Sequence, residues 1–265
     1  DYSKKNGFGF LDAPVSGGQA GAENGALTVM IGGDKKDFDK ASDMAKATAV
    51  HFADLLGMVA EAVPEMRIRF STSNPQDMSD DVLHAIAKYK NICEYIHLPV
   101  QSGSSRILKA MNRGHSREEY FDLIDRIHKI IPDCGLSQDM IAGFPTETEP
   151  MFNQTLSLIR ECRLSFLHVF PYSPRDNTPA ALMPMVPIEI RRARAAQLRA
   201  VGAEVRNDIF KSCIGDTLDV LAETRDFGRT GNNIPVRFLS DKEPGHIYRT
   251  RLVGMDGDKL LGQGI

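Results

Sequence analysis

The chain has 265 residues, of which 42% are hydrophobic and 25% are charged. This composition is typical of a globular protein with a substantial core, and it argues against disorder and against membrane-spanning segments. The net charge of -3 and the pI near 6.2 give no general attraction for nucleic acid, so RNA binding would need a local basic surface.

Residues 1–50 are predicted to form a β-β-α segment. The stretch "FGFLDAPV" predicts a strand, "SGGQAGAENG" a glycine-rich loop, "ALTVMIGG" a second strand, and a helix follows with Asp34 as its N-cap. Helical spacing of apolar residues continues to Val63. The pattern therefore predicts either one long helix or two helices broken near residues 48–51, with Phe52, Leu55 and Val59 packed on a sheet.

Residues 51–185 repeat a strand-then-helix order. The predicted strands are "MRIRFST", "EYIHLPV", "GLSQDMIAGF" and "SFLHVFPYS", and the predicted helices cover 79–88, 117–131 and 150–161. Ser79 and Ser116 are good N-cap residues, each followed by acids in the first turn. This alternation predicts parallel strands with right-handed crossovers, in an open α/β sheet or part of a barrel.

The pattern changes after residue 185. Residues 186–210 form an arginine-rich amphipathic helix, whose polar face is interpreted as solvated. Residues 211–265 contain short strands separated by glycine turns, which is typical of a small all-β barrel.

The loop 101–105, "QSGSS", lies where a buried strand ends, and ligands of parallel sheets bind at such positions. An ordinary chain-reversing loop is an equally good interpretation. Nearby, His97 is expected in the core and His115 at the surface. Pro145 and Thr146 are expected to shape a turn and cap a helix, and Glu147 is interpreted as a solvated first-turn acid.

Three motifs, in order, carry a family resemblance. "RIRFSTSNPQDMSDDVL", "YIHLPVQSGSSRILKAMNR" and "DMIAGFPTETE" resemble the radical S-adenosylmethionine methylthiotransferases, which add a methylthio group to adenosine 37 of certain tRNAs. The later "FLHVFPYSPRDNTPAALMP" and "GRTGNNIPVRF" resemble the branch that acts on threonylcarbamoyl-adenosine. The resemblance covers about residues 51–265. It implies an α/β fold: a partial radical-SAM-type (β/α) barrel with a C-terminal TRAM-like RNA-binding barrel.

The resemblance also implies site residues. S-adenosylmethionine (SAM) would lie near Gln101 and Ser102, with Ser71, Thr72 and Asp139 on neighbouring strand ends, because amide and hydroxyl groups can hydrogen-bond its ribose and amino-acid parts. The expected partner is tRNA, at its anticodon stem-loop, and neither DNA nor a membrane. The RNA-binding residues expected in the barrel are Arg229, Asn233, Arg237, Arg249 and Arg251.

The cluster chemistry of that family is not expected in this chain. The family holds a [4Fe–4S] cluster with a Cys-x3-Cys-x2-Cys loop, and no such loop occurs in these 265 residues. Cys93, Cys134, Cys162 and Cys213 are widely spaced, so we expect reduced, mostly buried thiols. The chain shows no signal segment, which makes the cytoplasm the expected compartment. An inactive family member is therefore expected.

Residues 7–50 carry a second resemblance, to the end of the nucleotide-binding domain of 3-hydroxyisobutyrate-type dehydrogenases. There the residues matching Ser16, Gly17 and Gly18 would present a hydroxyl and backbone N–H groups to a carboxylate. The glycine-rich dinucleotide fingerprint is missing, so this segment is interpreted as a structural graft. Three hypotheses remain: a methylthiotransferase body, a non-catalytic tRNA-binding module, and an NAD-dependent hydroxyacid dehydrogenase.

Overall fold

The computed structural model describes residues 51–71 and 73–265, together with four two-residue strands nearer the N terminus. Strand β1 (Leu11–Asp12) pairs antiparallel with β4 (Gly32–Gly33), and β2 (Val15–Ser16) pairs antiparallel with β3 (Thr28–Val29). These pairs lie within the two strands predicted for this segment except at Ser16, which was predicted to begin the glycine-rich loop. Three other predictions lie outside the described residues. They are the helix over residues 34–50, the anion-binding Gly17 and Gly18, and the SAM contact Thr72.

The middle of the chain forms a parallel sheet with helical crossovers, as the alternating pattern predicts. The strands are β5, β6 and β7, with β6 in the centre and both pairings parallel. In chain order the elements are α1 (Phe52–Ala62), α2 (Asp80–Lys88), β5 (Tyr95–His97), α3 (Ser105–Ala110), α4 (Arg117–Ile130), β6 (Gly135–Ala142), α5 (Glu149–Glu161) and β7 (Phe166–Pro171). Short 3-10 turns occupy Pro75–Asp77 and Pro179–Leu182.

The predicted first strand, "MRIRFST", is wrong in extent. Within its described residues only Ile68 pairs, in an isolated parallel bridge with Ile92. The arginines on either side of Ile68 are engaged elsewhere: Arg67 donates to the Arg229 carbonyl oxygen at 2.7 Å, and Arg69 donates to the Gly231 carbonyl oxygen. These contacts draw the segment toward the C-terminal barrel instead of extending the sheet.

Helix α1 differs from the prediction both in where it begins and in which face it buries. His51 has an extended backbone (φ -68°, ψ 157°), so a single helix running through this position is excluded. Leu56 and Ala60 are buried in the core, whereas Phe52, predicted to be packed, is 43% exposed. The helix packs against α2, and this contact turns a different face inward from the one that the apolar spacing favours.

One face of the sheet is covered by helices. Leu136, Gln138 and Met140 of β6 point to this side and are fully buried. They meet apolar side chains from α2, α4, α5 and the later helix α6 (Ile188–Ser212), including Leu83, Tyr120, Ile124, Phe152, Leu158 and Leu198. Alternation along the strands sends His97, Asp139, His168 and Phe170 to the other face, which remains partly accessible.

The C-terminal barrel is confirmed. Helix α6 (Ile188–Ser212) leads into a closed barrel with the strand order β10-β12-β11-β8-β9. The strands are β8 (Thr217–Ala222), β9 (Phe227–Thr230), β10 (Pro235–Phe238), β11 (Ile247–Asp256) and β12 (Lys259–Gly264). Strand β9 was not predicted, because its four residues include a glycine and lie among turn residues.

The barrel contacts the edge of the sheet where the strands begin. The Asn232 side chain donates to the Asp133 carbonyl oxygen at 3.0 Å, just before β6. A side chain at Gly135 would stand 2.2 Å from the Asn232 carbonyl oxygen, so the close approach needs a glycine there. None of the described helices is both long enough and apolar enough to cross a membrane.

Candidate functional site

A bulge ends the regular pairing of β5 with β6. Pairing stops at His97 opposite Ser137 and resumes at Gln101 opposite Met140, so β5 uses one more residue than its partner. Within the bulge, the Val100 N–H donates to the side-chain oxygen of Gln138 at 3.2 Å. Gln138 thereby satisfies a buried backbone donor that the sheet no longer pairs.

Gln101, the residue after the bulge, has a left-handed backbone (φ 71°). Its N–H donates to the Asp139 carbonyl oxygen at 3.0 Å, and its carbonyl accepts from the Ile141 N–H at 2.9 Å. Such a conformation costs a non-glycine residue about 1 kcal/mol or more, and strain of this kind clusters at functional sites. Gln101 is buried, with 7% of its surface exposed, and within the described part of the chain its side-chain amide makes no hydrogen bond.

Ser102 takes a different position. Its side chain is fully buried, its hydroxyl accepts from the Ser104 N–H, and it lies 3.5 Å from the Thr155 hydroxyl of α5. The neighbouring Gly103 N–H also donates to Thr155, at 3.0 Å. In this arrangement Ser102 fastens the loop to α5, which is the turn-forming role considered for it.

Asp139 lies on the accessible face of β6, beside two histidines. The Nε2 atom of His97 is 3.3 Å from a carboxylate oxygen of Asp139, and 30% of the Asp139 side chain is exposed. The His97 and His168 rings meet edge to face, with centroids 6.0 Å apart. Adjacent registers of three parallel strands bring these residues together.

Of the five predicted SAM contacts, the structure brings two together at this edge, Gln101 and Asp139. The Ser73 N–H donates to the His97 carbonyl oxygen, so the segment that carries Ser71 runs beside β5. His97 and His168 were missed as site residues. Their separation in sequence carries no signal, and only the sheet register could have found them.

Glu147 and its partner Arg194 correct two expectations. Glu147 is buried, and its carboxylate accepts from Arg194 at 2.8 Å and from the Gly143 N–H at 2.9 Å. Burial raises the pKa of Glu147, while Arg194 and the Gly143 N–H oppose that rise. Arg194 is buried too, so the arginine-rich helix is not solvated along its whole polar side. The N-cap of α5 is Thr148, not Thr146.

His115 is buried, with 7% of its surface exposed, contrary to the surface position expected. Its ring packs near the Tyr120 ring, with centroids 6.1 Å apart. Burial, assisted by the positive charge of Arg113, lowers the pKa of His115. The residue therefore supports the core behind the loop and is placed apart from the accessible face.

The five predicted RNA-binding residues lie around the barrel in different states. Arg237 pairs with Asp256, Arg249 with Asp219 at 3.3 Å, and Arg229 with Glu223 at 3.5 Å. Asn233 occupies the turn between β9 and β10 with φ 70°. Arg251 is exposed and makes no ion pair within the described residues, so it is the one of these arginines with its charge uncompensated.

The cysteines do not fit an iron–sulfur cluster. Burial raises the pKa of Cys134 and of Cys162 to about 12 and also raises that of Cys213, which keeps these thiols protonated at neutral pH. Cys93 is buried. Across residues 51–71 and 73–265, no three histidine, cysteine or acidic side chains are grouped so that they could hold a metal ion.

Comparison with known families gives one match. A family model described as the radical SAM superfamily matches residues 18–159. The match begins inside the segment that resembles dehydrogenases, and that second resemblance stays an untested prediction. One solved structure, the radical SAM enzyme coproporphyrinogen III oxidase of Escherichia coli, is 16% identical with a TM-score of 0.48, covering 88% of this chain and 50% of its own.

Curated relatives give a closer similarity. Proteins named tRNA-2-methylthio-N(6)-dimethylallyladenosine synthase are 54% identical in Christiangramia forsetii and 46% identical in Flavobacterium johnsoniae, each over 244 residues and 88% of this chain. The relative of the same name from Chloroherpeton thalassium is 40% identical over 82% of the chain. The chain spans about half the length of these relatives, 51% in each case. It belongs to the radical SAM superfamily and, within it, to the methylthiotransferase family.

Proposed function

We propose that this chain is the SAM-binding and tRNA-binding part of a tRNA methylthiotransferase. The observation that carries the proposal is the strained backbone of Gln101, whose side-chain amide is unengaged at the same sheet edge as the Asp139 carboxylate. Strain that is maintained at a strand end, next to a partly exposed carboxylate, is typical of a ligand site.

The residues at this edge fit the polar parts of SAM. The Gln101 amide can both donate and accept, which suits a ribose hydroxyl or the amino-acid moiety. The Asp139 carboxylate accepts hydrogen bonds and attracts the ammonium group of the ligand. SAM, when bound together with a reduced cluster, supplies the radical on which this superfamily depends.

We propose that this chain does not start radical chemistry by itself. Its 265 residues contain no Cys-x3-Cys-x2-Cys loop, and the protonated, buried thiols described above are poor cluster ligands. This observation favours a second candidate function, a non-catalytic tRNA-binding module. The dehydrogenase hypothesis rests on residues 7–50 alone.

The nucleoside substrate is a finer point of the proposal. Sequence motifs favour threonylcarbamoyl-adenosine at position 37, whereas the names of the curated relatives favour dimethylallyl-adenosine. Because the relatives are similar along most of the chain, we propose the dimethylallyl branch. The proposed partner is the anticodon stem-loop of tRNA, with no role for DNA or membranes, and the proposed compartment is the cytoplasm.

Equilibrium dialysis with radiolabelled SAM tests the proposal. The full chain should bind SAM, while Gln101→Leu and Asp139→Asn should each weaken binding. Ser240→Ala, an exposed change in the barrel, should bind like the wild type. Failure of the wild type to bind SAM, or saturable NADH binding in a fluorescence titration, would overturn it. An iron and sulfide assay after anaerobic reconstitution tests the absence of a cluster.

Gel-shift titration of a tRNA anticodon stem-loop tests the barrel. Arg251→Gln should weaken binding more than Arg237→Gln, because Asp256 already compensates Arg237. A phosphate contact also implies that affinity falls steeply with salt. Equal affinity in both variants and in the wild type would leave the barrel as a structural cap.

A further inference from the structure

A basic surface lies beside the candidate site. It consists of Arg106 and Lys109 on α3 and Arg113 just after it, and it is called the α3 surface below. All three side chains are exposed, and none makes an ion pair within the described residues. Residues 101–116 contain these three cations and neither aspartate nor glutamate, in a chain whose net charge is -3.

The charge of α3 runs against helix preference. Negative side chains are favoured in the first turn of a helix, and each of the other described α-helices has at least one acid there. Helix α3 has none, and places Arg106 in that turn. The carboxylate that contacts this segment, from Glu118, accepts from the Ser105 hydroxyl. Helix stability therefore does not explain Arg106.

The α3 surface is held rigidly. Ile107 and Leu108, between the cations, are fully buried. Arg117 donates to the Gly103 carbonyl oxygen at 2.9 Å, and its N–H donates to the Ser105 hydroxyl at 2.9 Å. The helix ends in a left-handed Asn112 (φ 57°), and the Arg113 N–H returns to the Leu108 carbonyl oxygen. A polyanion would therefore meet cations whose backbone is already ordered.

The barrel and the candidate site lie at opposite edges of the sheet. The barrel contacts Arg67 and Asp133, at the edge where strands begin, whereas Gln101 lies at the edge where they end. The eight residues of β6 separate the two edges by roughly 25 Å. RNA bound to the barrel alone would not be fixed next to Gln101 and Asp139.

We propose that the α3 surface binds the RNA phosphate backbone at the rim of the site. Arg106 and Lys109, three residues apart, lie on the same side of the helix, so they can contact neighbouring phosphates. The surface begins five residues after Gln101. RNA held there places an adjacent nucleotide over the accessible face of β5, β6 and β7. This inference rests on the proposed function and names a second surface for the same partner.

Gel-shift titration of a tRNA anticodon stem-loop with the full chain, at several salt concentrations, tests the inference. The triple variant Arg106→Gln, Lys109→Gln, Arg113→Gln should bind at least about tenfold more weakly at 100 mM salt, with a log–log salt slope lower by about 2. The matched control is Lys88→Gln, Lys129→Gln, Arg192→Gln, which removes the same charge from exposed positions of α2, α4 and α6. The control should bind like the wild type.

Several results of the RNA-binding titration would contradict the α3 surface. Wild-type affinity in the α3 triple variant would overturn the surface and leave the proposed function intact. Failure of the wild type to bind RNA at 50 mM salt would overturn both. Equal weakening in the control would reduce the effect to net charge, and tighter binding to phosphatidylserine vesicles than to RNA would assign the surface to lipid. The double variant Arg106→Lys, Arg113→Lys keeps both charges and should bind RNA like the wild type. Unchanged circular dichroism of all variants would show that weaker binding is not caused by misfolding.

Discussion

Arg194 reaches from α6 to Glu147 at the start of the turn before α5, and both side chains are almost completely buried. The same guanidinium also contacts Glu149 at 3.0 Å and lies 5.2 Å from the centre of the Phe152 ring. This pair joins the helix that leads to the barrel with the turn that follows β6. It therefore couples the geometry of the site edge to the position of the barrel.

Removing one member of this pair should be costly. Arg194→Met leaves a buried carboxylate without its partner, and we expect the free energy of unfolding to fall by about 3–5 kcal/mol. Urea unfolding followed by circular dichroism measures this. Arg192→Met, on the exposed side of the same helix, is the control and should change stability little. A loss as small as that of the control would show that the pair is not buried in solution.

Gln101→Gly should weaken SAM binding without lowering stability. Glycine adopts positive φ without steric cost, so the variant should be about as stable as the wild type or up to about 1 kcal/mol more stable. The amide is lost, so SAM binding should weaken. Thermal unfolding and equilibrium dialysis on one preparation check both. A destabilised variant would mean that the side chain serves the fold and not a ligand.

Gln138 should be required for the bulge. Gln138→Leu keeps the volume but leaves the Val100 N–H without an acceptor in the core, so stability should fall by about 1–3 kcal/mol. Hydrogen exchange at Val100 should become faster. Gln197→Leu, at an exposed position of α6, is the matched control. Unchanged exchange at Val100 would contradict the contact.

His115 should make the fold sensitive to mild acid. Its pKa is lowered in the folded state, so the unfolded chain binds the proton more readily. The contribution of neutral His115 to the free energy of unfolding should be complete above about pH 6.5. It should fall as the pH drops from there toward the folded-state pKa. His115→Asn should lack this component in urea titrations between pH 7.5 and 5. His246→Asn, an exposed change, should retain it.

Sequence patterns predict the elements that are long or strongly periodic. Helix α6 and the helices α2, α4 and α5 begin and end within a residue or two of their predicted limits, because their apolar spacing and first-turn acids agree. Strand β9 was not predicted, and the buried face of α1, which carries Leu56, was predicted wrongly. Neither feature depends on the local sequence pattern. Both are decided by which surface the rest of the fold offers.

In the candidate site, too, some residues can be predicted from local sequence and others depend on the rest of the fold. Gln101 and Asp139 could be named because a motif and a strand-end position coincide there. The approach of His97 to Asp139 depends on the register of two strands that are forty residues apart in the chain. Burial of Glu147 and His115 depends on neighbours that arrive from α6 and from the core behind the loop. A short polar motif carries no information about such neighbours.

The distance between the two edges of the sheet has a consequence for the size of the RNA. Roughly 25 Å corresponds to about seven stacked nucleotides at 3.4 Å each. An RNA that touches both the barrel and the α3 surface must be at least that long, and a shorter oligonucleotide gains only one of the two contacts. The rigid sheet thus fixes the distance between the two RNA contacts. Affinity should rise abruptly once an RNA is long enough to reach both.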